Sequence, residues 1–273
     1  MTLIGKLHFI SGLPRSGSTL LCALLRQNPR FHAAMTSPVA SLCGALHAKM
    51  CGGEFGIFFD DAKRARQLRA VFDAYYADVP NDHIVFDTNR SWTGRVGMLT
   101  DLYPQSRLIC CVRDVGWIID SIERMLVKNP LQLSRMFDFK PGTSVYGRVE
   151  TLMNSDTGLI GLAWSTLREA WFGPRGNRLI VVQYDTLVKR PQATLDKLYA
   201  ELGEQPFAHD FEHVEYDEPD YDAQIGMPGL HKVRERVSYE AKQPSIPPDL
   251  FAKYASASFW TKPELNPRGI TIL

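Results

Sequence analysis

Residues 12–19 read Gly12-Leu13-Pro14-Arg15-Ser16-Gly17-Ser18-Thr19, between an apolar run at 7–12 and a helical pattern at 17–28. A loop in that position turns successive backbone N–H groups inward and is backed by the positive end of a helix. That arrangement cradles a phosphate. The spacing is that of the nucleotide-triphosphate loop, Gly-x4-Gly-Lys-Ser/Thr, with one departure. Ser18 occupies the lysine position, and the basic residue lies inside the loop as Arg15. In the usual loop the lysine serves the β and γ phosphates and the hydroxyl holds magnesium. Loss of the lysine argues against triphosphate chemistry, while the retained glycines and hydroxyls argue for a shorter anion.

Outward from the loop, four further apolar runs at 31–35, 83–87, 107–113 and 178–184 read with 7–12 as buried strands. They are rich in Ile, Val, Phe and Cys and lack two-residue alternation, the pattern of parallel strands covered on both faces. Helical patterns at 41–50, 62–76, 93–103, 115–127, 157–172 and 192–202 fall between or after them. Alternating strand and helix predicts one α/β domain over 1–273, a parallel P-loop-type sheet flanked by helices on both faces.

Apolar residues make up 45% of the 273 residues and charged residues 22%, which excludes disordered and fibrous classes. Lys plus Arg number 31 against 30 Asp plus Glu, a net charge of +1. No global field draws the chain to nucleic acid or to an anionic membrane, so any anion site is local. The longest apolar stretches fall far short of the roughly 20 residues that span a bilayer, so no integral membrane association is expected. The first residues carry no signal-peptide pattern, and the five cysteines include the neighbours Cys110 and Cys111 inside an apolar run. Both point to reduced thiols and a cytoplasmic location.

Two stretches break the rhythm. Residues 128–156 read as a lid-like insertion, because Leu131, Leu133, Met136, Phe137 and Phe139 want a surface to cover. Residues 204–249 hold an acidic run at 210–222, then Lys232, Arg234, Arg236 and Lys242. Such a charge pattern reads as solvated surface, but the phosphate loop gives the basic half a second reading.

The segment from Phe9 to Leu21 resembles the 5′-phosphosulfate loop of sulfotransferases that use 3′-phosphoadenosine 5′-phosphosulfate (PAPS), usually Gly-x-Pro-Arg-Ser-Gly-Thr-Thr-Leu. Pro14, Arg15, Ser16, Gly17, Ser18, Thr19 and Leu20 fill its positions. A second block at 108–124 resembles the family's 3′-phosphate element, a strand ending in Arg-Asp with a serine eight residues after the arginine. Arg113 and Ser121 stand there. An arginine at a strand's end presents a bidentate fork to phosphate, and a serine about two turns into the next helix adds a hydroxyl. Tyr184, in Val-Gln-Tyr-Asp-Thr-Leu, is similar to the family's nucleotide-contacting tyrosine. Residues 225–243 resemble the loop that closes over the nucleotide, with Lys232 and Lys242 at its basic positions. The motif layout is nearest the protein-tyrosine and carbohydrate branches. The resemblance implies sulfuryl transfer from PAPS, with no metal, to a hydroxyl or amine of a small-molecule, lipid, carbohydrate or peptide acceptor. It implies no nucleic-acid partner and leaves acceptor and oligomeric state open.

On the acceptor side, Phe86-Asp87-Thr88-Asn89-Arg90-Ser91-Trp92 ends a strand where ligands collect in open α/β sheets. It resembles the family's acidic-lysine strand end, but Thr88 replaces the lysine, and Arg90 is the nearest cation to steady the bridging oxygen. Asp87 is a candidate base, with capping or ion pairing as its other reading. The glutamate that serves as base in the protein-tyrosine branch has no counterpart, which leaves His32 and His47 as further candidates. Cys43, His47 and Cys51 recur at helical spacing but lack a fourth ligand for zinc, so they read as one helix face. Two other readings stand beside the leading one: a P-loop nucleotide kinase, for which Asp87 would be the acidic strand end for magnesium, and a non-catalytic nucleotide-binding relative.

Overall fold

The computed structural model describes residues 6–128, 131, 133–137 and 144–273. In chain order the helices and strands are β1 (Lys6–Gly12), α1 (Ser18–Leu25), β2 (Phe31–Ala33), α2 (Val39–Cys51), α3 (Asp61–Tyr75), β3 (Ile84–Thr88), α4 (Val96–Leu102) and β4 (Leu108–Val112). They continue with α5 (Val115–Lys128), α6 (Val145–Met153), α7 (Gly161–Phe172), β5 (Leu179–Gln183), α8 (Tyr184–Lys189) and α9 (Pro191–Leu202). The last three are α10 (Pro219–Gln224), α11 (Pro248–Ala255) and β6 (Thr271–Ile272). The strands form one sheet in the order β2-β3-β1-β4-β5-β6, and every pairing is parallel.

Both faces of the sheet are covered, which is why its strands show no alternation in the sequence. Phe9, Cys110, Leu179 and Val181 point to one face, where they meet residues of α2, α3, α5, α7 and α11. Ile10, Ile109, Cys111, Ile180 and Val182 point to the other, against α1, α8 and α9. The chain leaves β1 toward β3 on one side and returns to β4 on the other, so the connections diverge at the C-terminal end of β1. Open α/β sheets bind their ligands at such a switch point.

The expected elements are present with corrections of extent, the first being that the helix expected over 17–28 ends at Leu25. The second strand stops at Ala33, two residues early, because the Met35 amide donates to the Tyr216 hydroxyl at 2.8 Å rather than to a neighbouring strand. The pattern at 93–103 is a 3-10 turn, Arg90–Arg95, followed by the short α4. Ser11 pins that turn to β1 by donating to the Arg90 carbonyl at 3.0 Å and accepting from the Thr93 amide at 3.3 Å. The helix expected from 157 begins at Gly161, after Asn154 Oδ1 closes a turn on the Asp156 and Thr157 amides. The sixth strand is not anticipated at all.

Of the apolar residues in the stretch 128–156 that were expected to cover a surface, the described ones divide. Met136 and Phe137, in a 3-10 turn, pack on the core. Leu131 is 97% exposed and Leu133 is also exposed, while Phe139 lies outside the described residues. Arg148 of α6 forks onto Glu123 of α5 at 3.0 and 2.6 Å, holding the described end of the segment to the body. The acidic and basic halves of 204–249 are not separate solvated runs. They pair through Val237 N to Phe211 O (2.8 Å), Val214 N to Glu235 O (2.6 Å) and Val233 N to Tyr216 O (2.9 Å). An ion pair from Arg236 to Glu212 at 2.9 Å joins them.

Gly12 is required by its neighbour strand. Its φ is +109°, and a Cβ there would collide with the Cys111 carbonyl of β4. Gly12→Ala is expected to destabilise the protein by about 2–6 kcal/mol, combining backbone strain with an overpacked contact. Urea denaturation checks this, and an unchanged midpoint would show that β1 and β4 can separate at this point.

Candidate functional site

The loop between β1 and α1 bounds a cavity of about 960 Å³ at the C-terminal edge of the sheet. Gly17, with φ +87°, starts α1 without any side-chain cap, so the first amides of an eight-residue helix face the loop. Tyr184, the first residue of α8, lays its ring across Gly17, where a Cβ would come within 2.8 Å of it. The Arg113 guanidinium lies over the same ring, 4.4 Å from its centroid. Cation–π contact fixes the direction of the arginine while leaving its N–H groups available. Arg113 Nε is buried with no hydrogen-bond partner among the described residues.

Arg15 joins the two phosphate-like blocks. It holds a positive φ of 56°, uncommon outside glycine, and its Nε donates to the Ser121 hydroxyl at 3.2 Å. Its NH1 group donates to the Leu230 carbonyl at 2.6 Å, tying in the segment at 225–243. Burial lowers the Arg15 pKa, helped by the Arg113 charge, while Tyr184 and Asp222 pull it upward. A guanidinium starts so far above neutrality that Arg15 remains a cation.

Of the residues expected at the site, Pro14, Arg15, Gly17, Ser18, Thr19, Leu20, Arg90, Arg113, Ser121, Tyr184, Lys232 and Lys242 all line this cavity. Ser16 does not. It is buried, and its hydroxyl turns back to the Pro14 carbonyl at 3.3 Å, so it shapes the loop. The described lining holds eight arginines and lysines against a single carboxylate, Glu240. That carboxylate is itself paired with Arg234 at 2.5 Å and Lys242 at 3.3 Å. A chain with net charge +1 therefore concentrates its positive charge here.

The strand-end residues divide. Arg90 reaches the cavity; its enclosure by protein lowers its pKa, and Tyr221 opposes that shift. Thr88 also lines the cavity, with its hydroxyl 3.4 Å from Cys22 Sγ. Asp87 is fully buried and not part of the wall. It accepts from Ser37 Oγ (2.7 Å), Tyr76 OH (2.6 Å) and Trp92 Nε1 (2.7 Å). Burial raises its pKa despite these three donors. Its geometry is that of an anchor beneath the site.

The two candidate histidines also lie elsewhere. His32 borders a separate small pocket with Arg26 and His83, edge-on to Tyr76, and His47 is exposed on α2. Cys43 is buried while His47 and Cys51 are exposed, and no metal-like cluster occurs among the described residues. Sequence reasoning missed a third histidine. His231 lines the cavity, and its Nδ1 lies 2.5 Å from Oδ1 of the fully buried Asp222. Arg135 and Met136 of the insertion were missed as wall residues as well.

A model of the Sulfotransferase family matches residues 8–209, about three quarters of the chain. The chain belongs to the sulfotransferase family. The match takes in the loop, the Arg113–Ser121 block and Tyr184, and it stops before the segment that carries Lys232, Lys242 and the Asp222–His231 pair. Nodulation protein NoeE of Sinorhizobium fredii (strain NBRC 101917 / NGR234) is 28% identical over 228 residues, covering 77% of this chain. The aligned part is 53% of NoeE, so the chain spans about half the length of that relative. The sulfotransferase domain from the curacin biosynthetic pathway shares the fold, with a TM-score of 0.56 at 17% identity over 94% of this chain and 98% of that one.

Replacing Asp87 by Ala strands three buried donors, each costing about 1–3 kcal/mol when unpaired. Asp87→Ala in this sulfotransferase-family chain should therefore lose about 3 kcal/mol or more in chemical denaturation. Full stability of that variant would overturn the anchoring role.

Proposed function

We propose that the chain transfers a sulfuryl group from PAPS to a hydroxyl or amine of an acceptor. The observation that carries this reading is the cavity's charge: eight cations, one already paired carboxylate, and a phosphate-type loop without its lysine. A donor nucleotide with a phosphosulfate at one end and a 3′-phosphate at the other suits such a wall, and the unpartnered Arg113 Nε is a free donor for it. When bound, PAPS supplies the sulfuryl group and leaves as its 3′,5′-bisphosphate.

The chain's own residues then have separable tasks. The amides at Gly17, Ser18 and Thr19 and the Arg15 guanidinium neutralise charge that grows on the 5′-phosphate side. Arg113 and Ser121 take the 3′-phosphate, and Tyr184 keeps Arg113 aimed. Lys232 and Lys242 close the nucleotide from the segment at 225–243. Arg90 steadies the bridging oxygen in place of the missing lysine. Leu159, Met136 and Met35 supply an apolar wall for the acceptor. In this reading Met136 brings the 128–156 insertion to the cavity as a lid, and the whole chain works as one domain.

The kinase reading loses support from the placement of Asp87. A magnesium-dependent phosphotransferase needs a carboxylate near its phosphates. Asp87 is sealed off by three donors, and Glu240 is held by two cations. The five cysteines are free, four of them buried, which fits the reducing cytoplasm. No described helix is long and apolar enough to cross a membrane.

Two outcomes are expected. Calorimetry should show 3′-phosphoadenosine 5′-phosphate binding without metal, with Arg113→Ala weakening it about 10- to 100-fold, the worth of a charge-assisted hydrogen bond. Adenosine 5′-phosphosulfate, which lacks the 3′-phosphate, should lose much less. Binding of ATP with magnesium alone would overturn the proposal. In transfer assays with 35S-labelled PAPS, Arg15→Ala should reduce turnover about 100- to 1000-fold, as removal of an oxyanion donor does. Unchanged turnover would take Arg15 out of the mechanism.

A further inference from the structure

Sulfuryl transfer to an alcohol needs a group to receive the hydroxyl proton, and Asp87, His32 and His47 all lie away from the cavity wall. We propose that His231 is that proton acceptor and that Asp222 is the residue that positions it. This rests on the sulfuryl-transfer reading above.

The geometry is that of an oriented imidazole. Asp222, in α10, is fully buried, and its two oxygens are both spent on residue 231. Oδ2 accepts the His231 amide at 2.9 Å, and Oδ1 faces ring atom Nδ1 at 2.5 Å. A carboxylate can only accept here, so Nδ1 carries a hydrogen, and in the neutral form of the ring Nε2 is the bare nitrogen. Nε2 has no partner among the described residues and is not among the sealed-off buried atoms, while the residue borders the cavity.

The position is set by the anion cradle itself. The residue before His231, Leu230, receives the Arg15 hydrogen bond through its carbonyl. The main chain next to His231 is thus tied to Arg15 of the phosphate-type loop. On its other side Tyr221 meets the ring edge-on at 5.5 Å, and Tyr221 is also the group that bears on the Arg90 charge. His231 therefore shares one cavity wall with Arg15, Arg90 and Tyr221, the wall that the proposed reaction uses.

In the step, Nε2 takes the acceptor's hydroxyl proton as the acceptor oxygen bonds to sulfur. The bond from sulfur to the bridging oxygen breaks, and its electron pair stays on the nucleotide phosphate. His231 then returns its proton to water. Nothing is oxidised or reduced.

The test has two arms. In 15N-histidine NMR of the intact protein, neutral His231 should be protonated at Nδ1, and Asp222→Asn should shift it toward the Nε2-protonated form. A wild-type ring protonated at Nε2 overturns the proposal, whatever the activity. In the second arm, 35S-labelled PAPS is offered with a panel of primary alcohols and phenols. His231→Gln, which keeps a polar side chain beside Asp222, should slow transfer to alcohols about 100-fold or more. Transfer to acidic phenols, which need less help, should fall much less. Affinity for 3′-phosphoadenosine 5′-phosphate should stay within about threefold, and free imidazole should restore part of the rate to His231→Ala. Wild-type rates in both His231 variants would overturn the assignment and leave the sulfotransferase reading standing. A wild-type protein that binds no 3′-phosphorylated nucleotide would instead sink that reading, and the NMR arm would still decide the tautomer.

Discussion

The carbonyl of Cys111 occupies the space where a side chain on residue 12 would have to go. That close approach lets β1 run against β4 up to its last residue, with Gly12 in register with Cys111 and the Leu13 amide bonded to the same carbonyl. The chain can then turn sharply through Pro14 and Arg15 and start α1 at Ser18. Every other feature of the cavity is arranged around that turn. Tyr184 rests on Gly17, Arg113 rests on Tyr184, and Arg15 spans from Ser121 to Leu230.

Concentrating so many cations is unfavourable before any ligand arrives, and the structure offsets this with carboxylates placed behind or beside the wall. Glu240 bridges Arg234 and Lys242, Glu212 holds Arg236, and the buried Asp222 lies close enough to Arg15 to favour its charged form. The acidic run that reads as plain surface in the sequence is thus the counterweight of the basic run after it. Exposed pairs of this kind contribute little individually and weaken with salt. Their effect here is to hold lysine and arginine stems against the cavity without filling it.

What was legible in the sequence was local. The loop glycines, Arg15, and the strand followed by Arg113 and Ser121 each lie within one short stretch, and Arg15, Gly17, Arg113 and Ser121 reach the cavity while Gly12 and Ser16 shape the loop behind it. Strands β1 to β5 were legible because burial on both faces leaves continuous apolar runs. The unreadable parts depend on distant partners. β6 is two residues long and is recognisable only by its pairing with β5. Asp87 carries the right chemistry at the right strand end, but Tyr76, Ser37 and Trp92 converge on it from three separate elements. His231 sits beside a lysine in a basic run, and only folding brings the buried Asp222 of an acidic helix beneath it.

The Arg15–Leu230 hydrogen bond is made by a main-chain carbonyl, not by a side chain. Changing residue 230 to another amino acid leaves that oxygen in the chain, so the contact itself does not depend on the side chain there. Side-chain scanning at position 230 would therefore not report this contact. Only an edit to the chain itself, such as a one-residue deletion that shifts the carbonyls between α10 and Lys232, would cut the link between the loop and the segment above it. Such a dependence leaves no mark in residue identity and is written instead in the spacing of the segment.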